Sequence, residues 1–301
     1  MATGRWMQGA PRKILLATDL SARCDRAFDR AAFFADEWNA DLVAVHVLQE
    51  VETFVPGGGD VMSSWRRPPN ARHLAERRMR DDLQALYPRL DIVVEIGDPA
   101  EAILRTARAQ DCDLIVTGVA RDELLGRIVL GNTVIRLARQ SEIPILVVRK
   151  RGRRPYGNIV LATDFSDSSR HALEVAERYF PNRTLTLFNA YDAPLSLMAA
   201  DTVSHRAQFR EAAEREGRMF LRTAGLADRP GGKAALVLEH GDPDQRLYEY
   251  VTRNDIDLAA LGTHGRSAVF HALIGSVART LIETLPCDVL IVREPLANAG
   301  A

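Results

Sequence analysis

Three glycines and a serine in the second half of the chain are spaced so that they can hold a phosphate group. They form the series Gly262-x2-Gly265-x9-Gly275-Ser276. Glycine lets the main chain turn sharply and approach a ligand closely, because no Cβ stands in the way. Gly275 and Ser276 are expected to open a helix, whose free N–H groups and positive dipole end favour an anion. The spacing therefore predicts a phosphate-binding loop.

A carboxylate is expected beside this loop. An apolar run ends at Ala162, and Thr163, Asp164 and Ser166 follow it. Ligands of open α/β sheets sit outside the carboxyl ends of the strands, where the strand order switches, so this segment and the loop should be neighbours. Asp164 can then accept hydrogen bonds from a ribose or hold a magnesium ion. Alternatively it is a helix cap, although Ser166 or Asp167 can fill that role.

The same segments occur twice along the chain. ILLATDLS at 14–21 returns as IVLATDFS at 159–166, with six of the eight positions identical. IGDPAEAI at 96–103 likewise matches HGDPDQRL at 240–247. The interval of 144 to 145 residues is the length of a domain, whereas solenoid repeats run at roughly 20 to 50 residues. The chain is therefore interpreted as a duplication.

Each copy alternates short apolar strands with helices. The strands are KILLA, DLVAVHVL, DIVVEI, DLIVTG and PILVVR in the first copy, and NIVLA, TLTLFNA, AALVLE, DLAALG and DVLIVR in the second. Helical periodicity marks segments such as QFREAAEREGRMFLRTAG at 208–225, and DAPLSLMAADTVS at 192–204 is expected to be a loop. We predict an α/β fold of two domains, 1–152 and 153–301, each a five-stranded parallel sheet with helices on both faces.

Composition and charge exclude several classes of function. Hydrophobic residues make up 47% and charged residues 26%, as in globular proteins, and a net charge of -1 gives no long-range attraction for nucleic acid or acidic membranes. The three cysteines lack Cys-x-x-Cys spacing, which fits a reducing compartment. No apolar run approaches the ~18 residues of a membrane span. We expect a cytoplasmic protein that binds neither nucleic acid nor membrane.

Other catalytic and metal motifs are missing from the sequence. It has no P-loop and no dinucleotide Gly-x-Gly-x-x-Gly after a first strand, which argues against a motor NTPase or an NAD enzyme. His240, His264 and His271 lack the spacing of a zinc site, and no Gly-x-Ser-x-Gly elbow occurs. No catalytic residue and no metal ligand set are assigned.

With these motifs the chain resembles a tandem universal stress protein. The family's nucleotide motif, Gly-x2-Gly-x9-Gly followed by Ser or Thr, is matched by the glycine series described above, and the likeness spans both copies. The resemblance implies Rossmann-like domains of the adenine nucleotide alpha hydrolase type, packed as an intramolecular pseudo-dimer through the strands PILVVR and DVLIVR. It leaves a homodimer of two chains open.

The resemblance also implies a site for ATP or AMP, with or without Mg. Ala162 and Asp164 would meet the base and ribose, and Gly275 with its successors would meet the phosphates, whereas Arg266 either reaches a phosphate or faces solvent. The complete set of implied binding residues is Ala162, Thr163, Asp164, Ala190, Leu261, Gly262, Gly265, Arg266, Gly275, Ser276 and Val277.

The first copy departs from the motif. It runs from Gly118 to Arg121 and then to Gly131 and Asn132, so arginine replaces the second glycine and asparagine the serine. A side chain at position 121 is expected to block the close approach of the main chain. We therefore predict that the first domain does not bind ATP, with Asp19 a relic or a helix cap.

The sequence thus predicts a stress-response regulatory protein that binds ATP or AMP in its C-terminal domain. Turnover is expected to be slow or absent, because no general base or transition-state arginine beyond Arg266 is evident near the loop. Two alternatives stay open. One is a slow ATPase or self-phosphorylating protein with Ser276 as a candidate acceptor, and the other is a scaffold or small-ligand module that no longer binds nucleotide.

Overall fold

A computed structural model of the chain describes most of the sequence. The described residues are 9–21, 24–49, 70–119, 131–152, 154–181, 183–192, 202–225, 234–265 and 274–294.

Strands and helices alternate along both halves of the chain. The N-terminal half contains β1 (Lys13–Thr18), α1 (Asp25–Trp38), β2 (Asp41–Leu48), α2 (Ala71–Met79, continued by a π-helical turn, Arg80–Gln84), β3 (Leu90–Ile96), α3 (Pro99–Ala109), β4 (Leu114–Gly118), α4 (Asn132–Gln140) and β5 (Ile145–Val148). The C-terminal half contains β6 (Asn158–Ala162), α5 (Asp167–Tyr179), β7 (Thr184–Tyr191), α6 (Thr202–Thr223), β8 (Ala235–His240), α7 (Pro243–Arg253), β9 (Leu258–Gly262), α8 (Ser276–Thr284) and β10 (Asp288–Val292).

The repeated Gly-Asp-Pro segment begins α3 and α7 in the same way. Gly97 and Gly241 have φ angles of +126° and +125°, which side chains rarely adopt. Asp98 then accepts a hydrogen bond from the N–H of Glu101 at 3.0 Å, and Asp242 caps α7 equivalently. Proline follows at the first helical position, where no N–H is needed. Local chemistry alone thus explains these two helix starts.

The strands form one continuous sheet across both halves. Its order is β3-β2-β1-β4-β5-β10-β9-β6-β7-β8, so each half supplies five parallel strands. The halves meet where β5 and β10 pair antiparallel, with Val147 opposite Val289. The predicted pairing of the final strands of the two copies is therefore present in the structure.

Helices cover both faces of this sheet, and each face has a core shared by the halves. One core contains apolar side chains of α1, α2, α5 and α6, and the other contains those of α3, α4, α7 and α8. On the first face, Phe34 of α1 stacks on Trp38 and also packs against Tyr156 and Phe180 of the other half. Aromatic contacts at these distances stabilise beyond their buried area, so the halves form one packed unit.

A buried carboxylate ties the junction together. Asp288 accepts hydrogen bonds from the main-chain N–H groups of Arg149 at 2.7 Å and Lys150 at 2.9 Å, and from the Tyr156 hydroxyl at 2.7 Å. The Arg30 guanidinium lies 3.5 Å away. Burial raises the pKa of Asp288 although these donors oppose the shift. The carboxylate thus joins β10 to α1, to the end of β5 and to Tyr156, which lies between β5 and β6.

The predicted α/β class, with tandem domains and helices on both faces of a mostly parallel sheet, is confirmed. One local expectation is wrong: α6 begins at Thr202, inside the segment 192–204 that was expected to be a loop. Its first turn, TVSH, contains a single apolar residue and therefore gives no apolar periodicity by which the sequence could indicate a helix. The division at residue 152 stays a prediction. Among the described residues, none of the helices combines the length and apolar character of a membrane span.

Candidate functional site

A cavity of about 420 Å³ lies at the carboxyl ends of β6, β7 and β9, against the start of α8. Ten of the eleven residues assigned from the sequence line it: Ala162, Thr163, Asp164, Ala190, Leu261, Gly262, Gly265, Gly275, Ser276 and Val277. Arg266, the remaining residue, lies outside the described part of the chain. The sheet therefore brings together positions that are more than 100 residues apart in sequence.

The turn after β6 holds Asp164 in place at the cavity. Thr163 Oγ1 accepts a hydrogen bond from the N–H of Phe165 at 2.9 Å, and Asp164 Oδ1 accepts one from Ser166 at 3.1 Å. Phe165 has a φ of +64°, a left-handed conformation that costs a non-glycine residue ~1 kcal/mol or more. Its ring packs against Phe220 of α6, which helps to maintain the turn.

Ser166, and not Asp164, caps α5. Its side chain accepts a hydrogen bond from the N–H of Ser169 at 3.3 Å. Asp164 is nevertheless bonded locally, because Ser169 Oγ donates to its Oδ1 at 2.8 Å. The carboxylate is thus oriented by the turn and by the first turn of α5 while it lines the cavity.

Two further polar residues of the site carry no motif that sequence reasoning detected. Asn189 is buried on β7, and its side-chain amide donates to the carbonyl of Thr163 at 2.8 Å. Ser169 supplies the hydroxyl that orients Asp164. Both line the cavity. The only signal for Asn189 in the sequence is a polar residue within the apolar run TLTLFNA.

The three glycines of the motif differ in what a side chain would meet at each position. A Cβ at Gly262 would overlap the Ser168 hydroxyl and come within 2.9 Å of its main-chain carbonyl, so packing of α5 demands glycine there. A Cβ at Gly265 would lie 2.8 Å from Asp164 Oδ2. At Gly275 the nearest atom to such a Cβ is the Thr263 carbonyl oxygen at 3.7 Å, an ordinary contact. Gly262 therefore has a packing role while it also lines the cavity, and its contact with a ligand stays a prediction.

The start of α8 faces the cavity without a side-chain cap. Gly275 occupies the cap position with a φ of -59° and a ψ of 147°, and the described residues supply no side-chain cap bond there. Its own N–H donates to the Thr263 carbonyl at 2.9 Å, which fixes the helix start to the end of β9. The N–H groups and the dipole of α8 are therefore directed at the cavity, where they can bind an anion.

The histidines do not form a metal centre in the part of the chain that is described. His264 lines the cavity, and its Nδ1 lies 2.7 Å from Thr263 Oγ1. His240 lies in β8 with its ring against Tyr191, and His271 is outside the described residues. Within the described ranges, no group of three or more His, Cys, Asp or Glu side chains is arranged to hold a metal ion.

Two segments of the chain match the same protein family. The model of the Universal stress protein family matches the chain twice, at residues 11–149 and 155–293. The chain belongs to the universal stress protein family. The two matches correspond to the two halves of the sheet, so the tandem arrangement expected from the repeat is confirmed.

Some relatives in this family match almost the whole chain, and others match one half of it. A universal stress protein of Mycolicibacterium smegmatis is 26% identical over 293 residues, which cover 93% of this chain and 96% of the relative. One of Thermus aquaticus is 31% identical over 140 residues, which cover 46% of this chain and 98% of the relative. One half of this chain thus corresponds to nearly the whole of the shorter relative.

Solved structures of universal stress proteins share the fold of the entire chain. One from Pseudomonas aeruginosa has a TM-score of 0.64 at 20% identity and covers 96% of this chain and 94% of its own. One from Archaeoglobus fulgidus has a TM-score of 0.60 at 14% identity and covers 94% of this chain and 98% of its own. At these identities the likeness extends to the fold and no further.

Proposed function

We propose that the C-terminal cavity binds an adenine nucleotide, ATP or AMP, and that the chain acts as a cytoplasmic stress-response regulator through this binding. The observation that carries the proposal is the convergence of ten assigned residues on one cavity at the ends of β6, β7 and β9. The choice of adenine rests on the family resemblance.

The phosphate end would be the start of α8. Among the described residues nothing requires glycine at position 275, since its φ is ordinary and a Cβ there meets none of their atoms closer than 3.7 Å. An uncapped helix start that lines a cavity supplies main-chain donors and a positive dipole end. Glycine at this point leaves those donors accessible to a phosphate, and Ser276 adds a hydroxyl beside them.

The ribose end would be Asp164. A carboxylate accepts hydrogen bonds from hydroxyl groups, and the vicinal hydroxyls of a ribose match it. Gly265 brings the main chain of the loop against Asp164 Oδ2, where any side chain would intrude. When Mg accompanies the phosphates, Asp164 is the carboxylate in the cavity that would bind it.

The base end would be the apolar wall. Phe188, Leu247 and Leu281 line this part of the cavity, together with the small residues Ala162 and Ala190. Such a wall buries the faces of a planar ring, and small-molecule sites commonly combine apolar walls with a few polar groups. A volume of about 420 Å³ also falls within the range of such sites.

Titration calorimetry of the full chain tests the proposal. We expect about one ATP or AMP per chain, and no binding by Gly275→Val, whose side chain covers the start of α8, or by Gly265→Arg, whose side chain enters beside Asp164. Gly131→Val is the matched control, because Gly131 caps α4 in the other half with nearly the same dihedral angles. Unchanged binding in both cavity variants contradicts the site assignment.

The enzymatic alternative is tested with the same variants. Transfer of a labelled γ-phosphate to the chain or to water, lost in Gly275→Val and retained in Gly131→Val, would show turnover at this cavity. We expect slow or undetectable transfer, so that the bound nucleotide acts as a signal and not as a substrate.

A further inference from the structure

The strands that join the two halves do not by themselves determine which half pairs with which. Leu146 of β5 lies opposite Leu290 of β10, and these residues occupy equivalent positions of the repeat, 144 residues apart. A second copy of either half could therefore pair in the same antiparallel register. The residues that each strand contributes to this pairing are buried and apolar, so the strand contacts give no preference among partners.

We propose that the buried charges of Arg30 and Asp288 make this surface selective. They commit an N-terminal half to pair with a C-terminal half, and they exclude pairing between two N-terminal or two C-terminal halves of different copies of the chain. The inference concerns the junction of the halves and does not depend on nucleotide binding.

Each of the two charges occurs in one half only. Arg30 of α1 corresponds in the repeat to Val175 of α5, and the two residues are 4% and 0% exposed. Asp288, at the start of β10, corresponds to Pro144, which directly precedes β5, and both are buried. At these equivalent positions, the half with the cation has no carboxylate and the half with the carboxylate has no cation.

The Arg30 guanidinium is enclosed by the C-terminal half and by the segment that connects β5 to β6. Its Nε lies 3.5 Å from Asp288 Oδ2, its Nη1 donates to the Arg154 carbonyl at 2.7 Å, and its Cζ lies 4.3 Å from the centre of the Tyr156 ring. A Cβ at Gly152 would overlap Nη2, so the connecting segment packs closely against the guanidinium. A cation buried in this way has lost most of its hydration, and the groups around it must compensate for that loss.

The groups that bond to Asp288 are all donors. They are the main-chain N–H groups of Arg149 and Lys150 and the Tyr156 hydroxyl, and the Arg30 guanidinium lies beside them. Such surroundings are complementary to an ionised carboxylate, which only accepts hydrogen bonds. Arg30 and Asp288 therefore form a buried ion pair between the halves.

Pairing of two identical halves would separate these charges. By the symmetry of the strand register, two N-terminal halves would bring Arg30 against Pro144 of the other copy, and two C-terminal halves would bring Asp288 against Val175. Each arrangement buries a charge without its counter-charge, which is strongly destabilising. The selectivity of the junction thus comes from the rejection of wrong partners.

An exposed ion pair joins the same two halves. Arg183 Nη2 lies 3.5 Å from Glu37 Oε1, and the two side chains are 36% and 31% exposed. Water can solvate each of these charges when the other is absent, so this pair contributes little to the choice of partner. It serves as the matched control for the buried pair.

Charge repair between two full-length variants tests the inference. In Arg30→Met the carboxylate lacks its cation, and in Asp288→Asn the cation lacks its carboxylate, while asparagine still accepts from the main chain of Arg149 and Lys150. In a mixed dimer with exchanged halves, Arg30 of one chain meets Asp288 of the other, and the second junction carries neither charge. Such exchange is otherwise disfavoured, because the covalent connection gives the halves of one chain a high effective concentration for each other.

One variant is isotope-labelled, unfolded in urea together with the other, refolded and analysed by native mass spectrometry. We expect mixed-label dimers to be at least ~5-fold more abundant than when either variant is refolded with its own labelled copy, because only the mixture can pair the buried charges. The mixture of Glu37→Gln with Arg183→Met should show no such excess. In urea unfolding, a chain with both Arg30→Met and Asp288→Asn should have a higher midpoint than Asp288→Asn alone, since it has no unpaired buried charge.

Three results would overturn the inference. They are equal amounts of mixed-label dimer with and without charge repair, an equal excess in the mixture of Glu37 and Arg183 variants, and a double variant whose midpoint decreases by the sum of the two single effects. When a single variant does not fold alone, the mixture still decides, because charge repair predicts a folded mixed-label dimer. A mixture that stays unfolded contradicts the inference.

Discussion

The two helix starts at Gly275 and Gly131 allow stability and ligand binding to be separated by one substitution. Gly275 has φ and ψ of -59° and 147°, Gly131 has -60° and 145°, and in the described part of the chain neither α8 nor α4 receives a side-chain cap bond. Aspartate at a cap improves on glycine by a few tenths of a kcal/mol, and its charge at the dipole adds ~0.3–1 kcal/mol. Each variant, Gly275→Asp and Gly131→Asp, is expected to gain about 0.5–1.5 kcal/mol in free energy of unfolding.

The two variants should differ sharply in nucleotide binding. In Gly275→Asp the new carboxylate occupies the N–H groups that a phosphate would use and repels its charge. We expect at least a 100-fold loss of ATP affinity, which corresponds to ~2.8 kcal/mol. Gly131→Asp carries the same charge at the other end of the sheet, where the direction of the strands is reversed, and should bind ATP as the unmodified chain does.

Urea unfolding and titration calorimetry on both variants provide the measurement. Tight ATP binding by Gly275→Asp would refute the placement of phosphate at the start of α8. Equal losses of ATP affinity in the two variants would show that the added charge acts at a distance and not through the helix start. A loss of stability in both would contradict the view that these glycines are kept for access and not for conformation.

Two further outcomes follow from packing and burial. Gly262→Ala should lower the free energy of unfolding by about 1–3 kcal/mol, because its Cβ meets the main chain of Ser168. Gly275→Ala should lower the free energy of unfolding by less than half of that amount. Equal decreases in urea unfolding would contradict the packing role of Gly262. Burial, aided by Arg178, lowers the pKa of His171 from 6.5 to about 4, so the unfolded chain binds the proton first as the pH falls. The free energy of unfolding should therefore decrease by at most ~2 kcal/mol between pH 7 and pH 5. His171→Gln should make the free energy of unfolding less dependent on pH in this range. An unchanged pH dependence in this variant would exclude His171 as the cause.

Much of the fold could be predicted because the local and periodic signals agree. The strands of both copies are short, apolar runs, since parallel strands covered on both faces leave little room for polar residues. Their boundaries in the structure differ from those expected from the sequence by about one residue. The Gly-Asp-Pro helix starts at Asp98 and Asp242 are similarly local. The start of α6 at Thr202 was missed because a polar first turn gives no periodic signal.

The site was predictable only where a motif carried it. Asp164, Gly265 and Gly275 were found from spacing and strand ends, and all line the cavity. Asn189 and Ser169 were not found, because their importance lies in hydrogen bonds to Thr163 and Asp164 on other elements. The N-terminal half makes the corresponding contacts with other residue types, because His46 Nδ1 lies 2.9 Å from the Thr18 carbonyl and Cys24 Sγ donates to Asp19 Oδ1 at 3.1 Å, and no comparison of residue types predicts these contacts.

The duplication, the alternation of strands and helices, and the glycine series can be recognised in the sequence alone, because each depends on residues close together or on a repeated segment. The contacts that explain the individual glycines exist only in the folded chain. Gly262 accommodates Ser168 of another element, while Gly275 meets nothing closer than 3.7 Å, and no spacing rule distinguishes these cases. The physical reason is that such contacts depend on how a strand end, a helix start and a turn are brought together by the sheet.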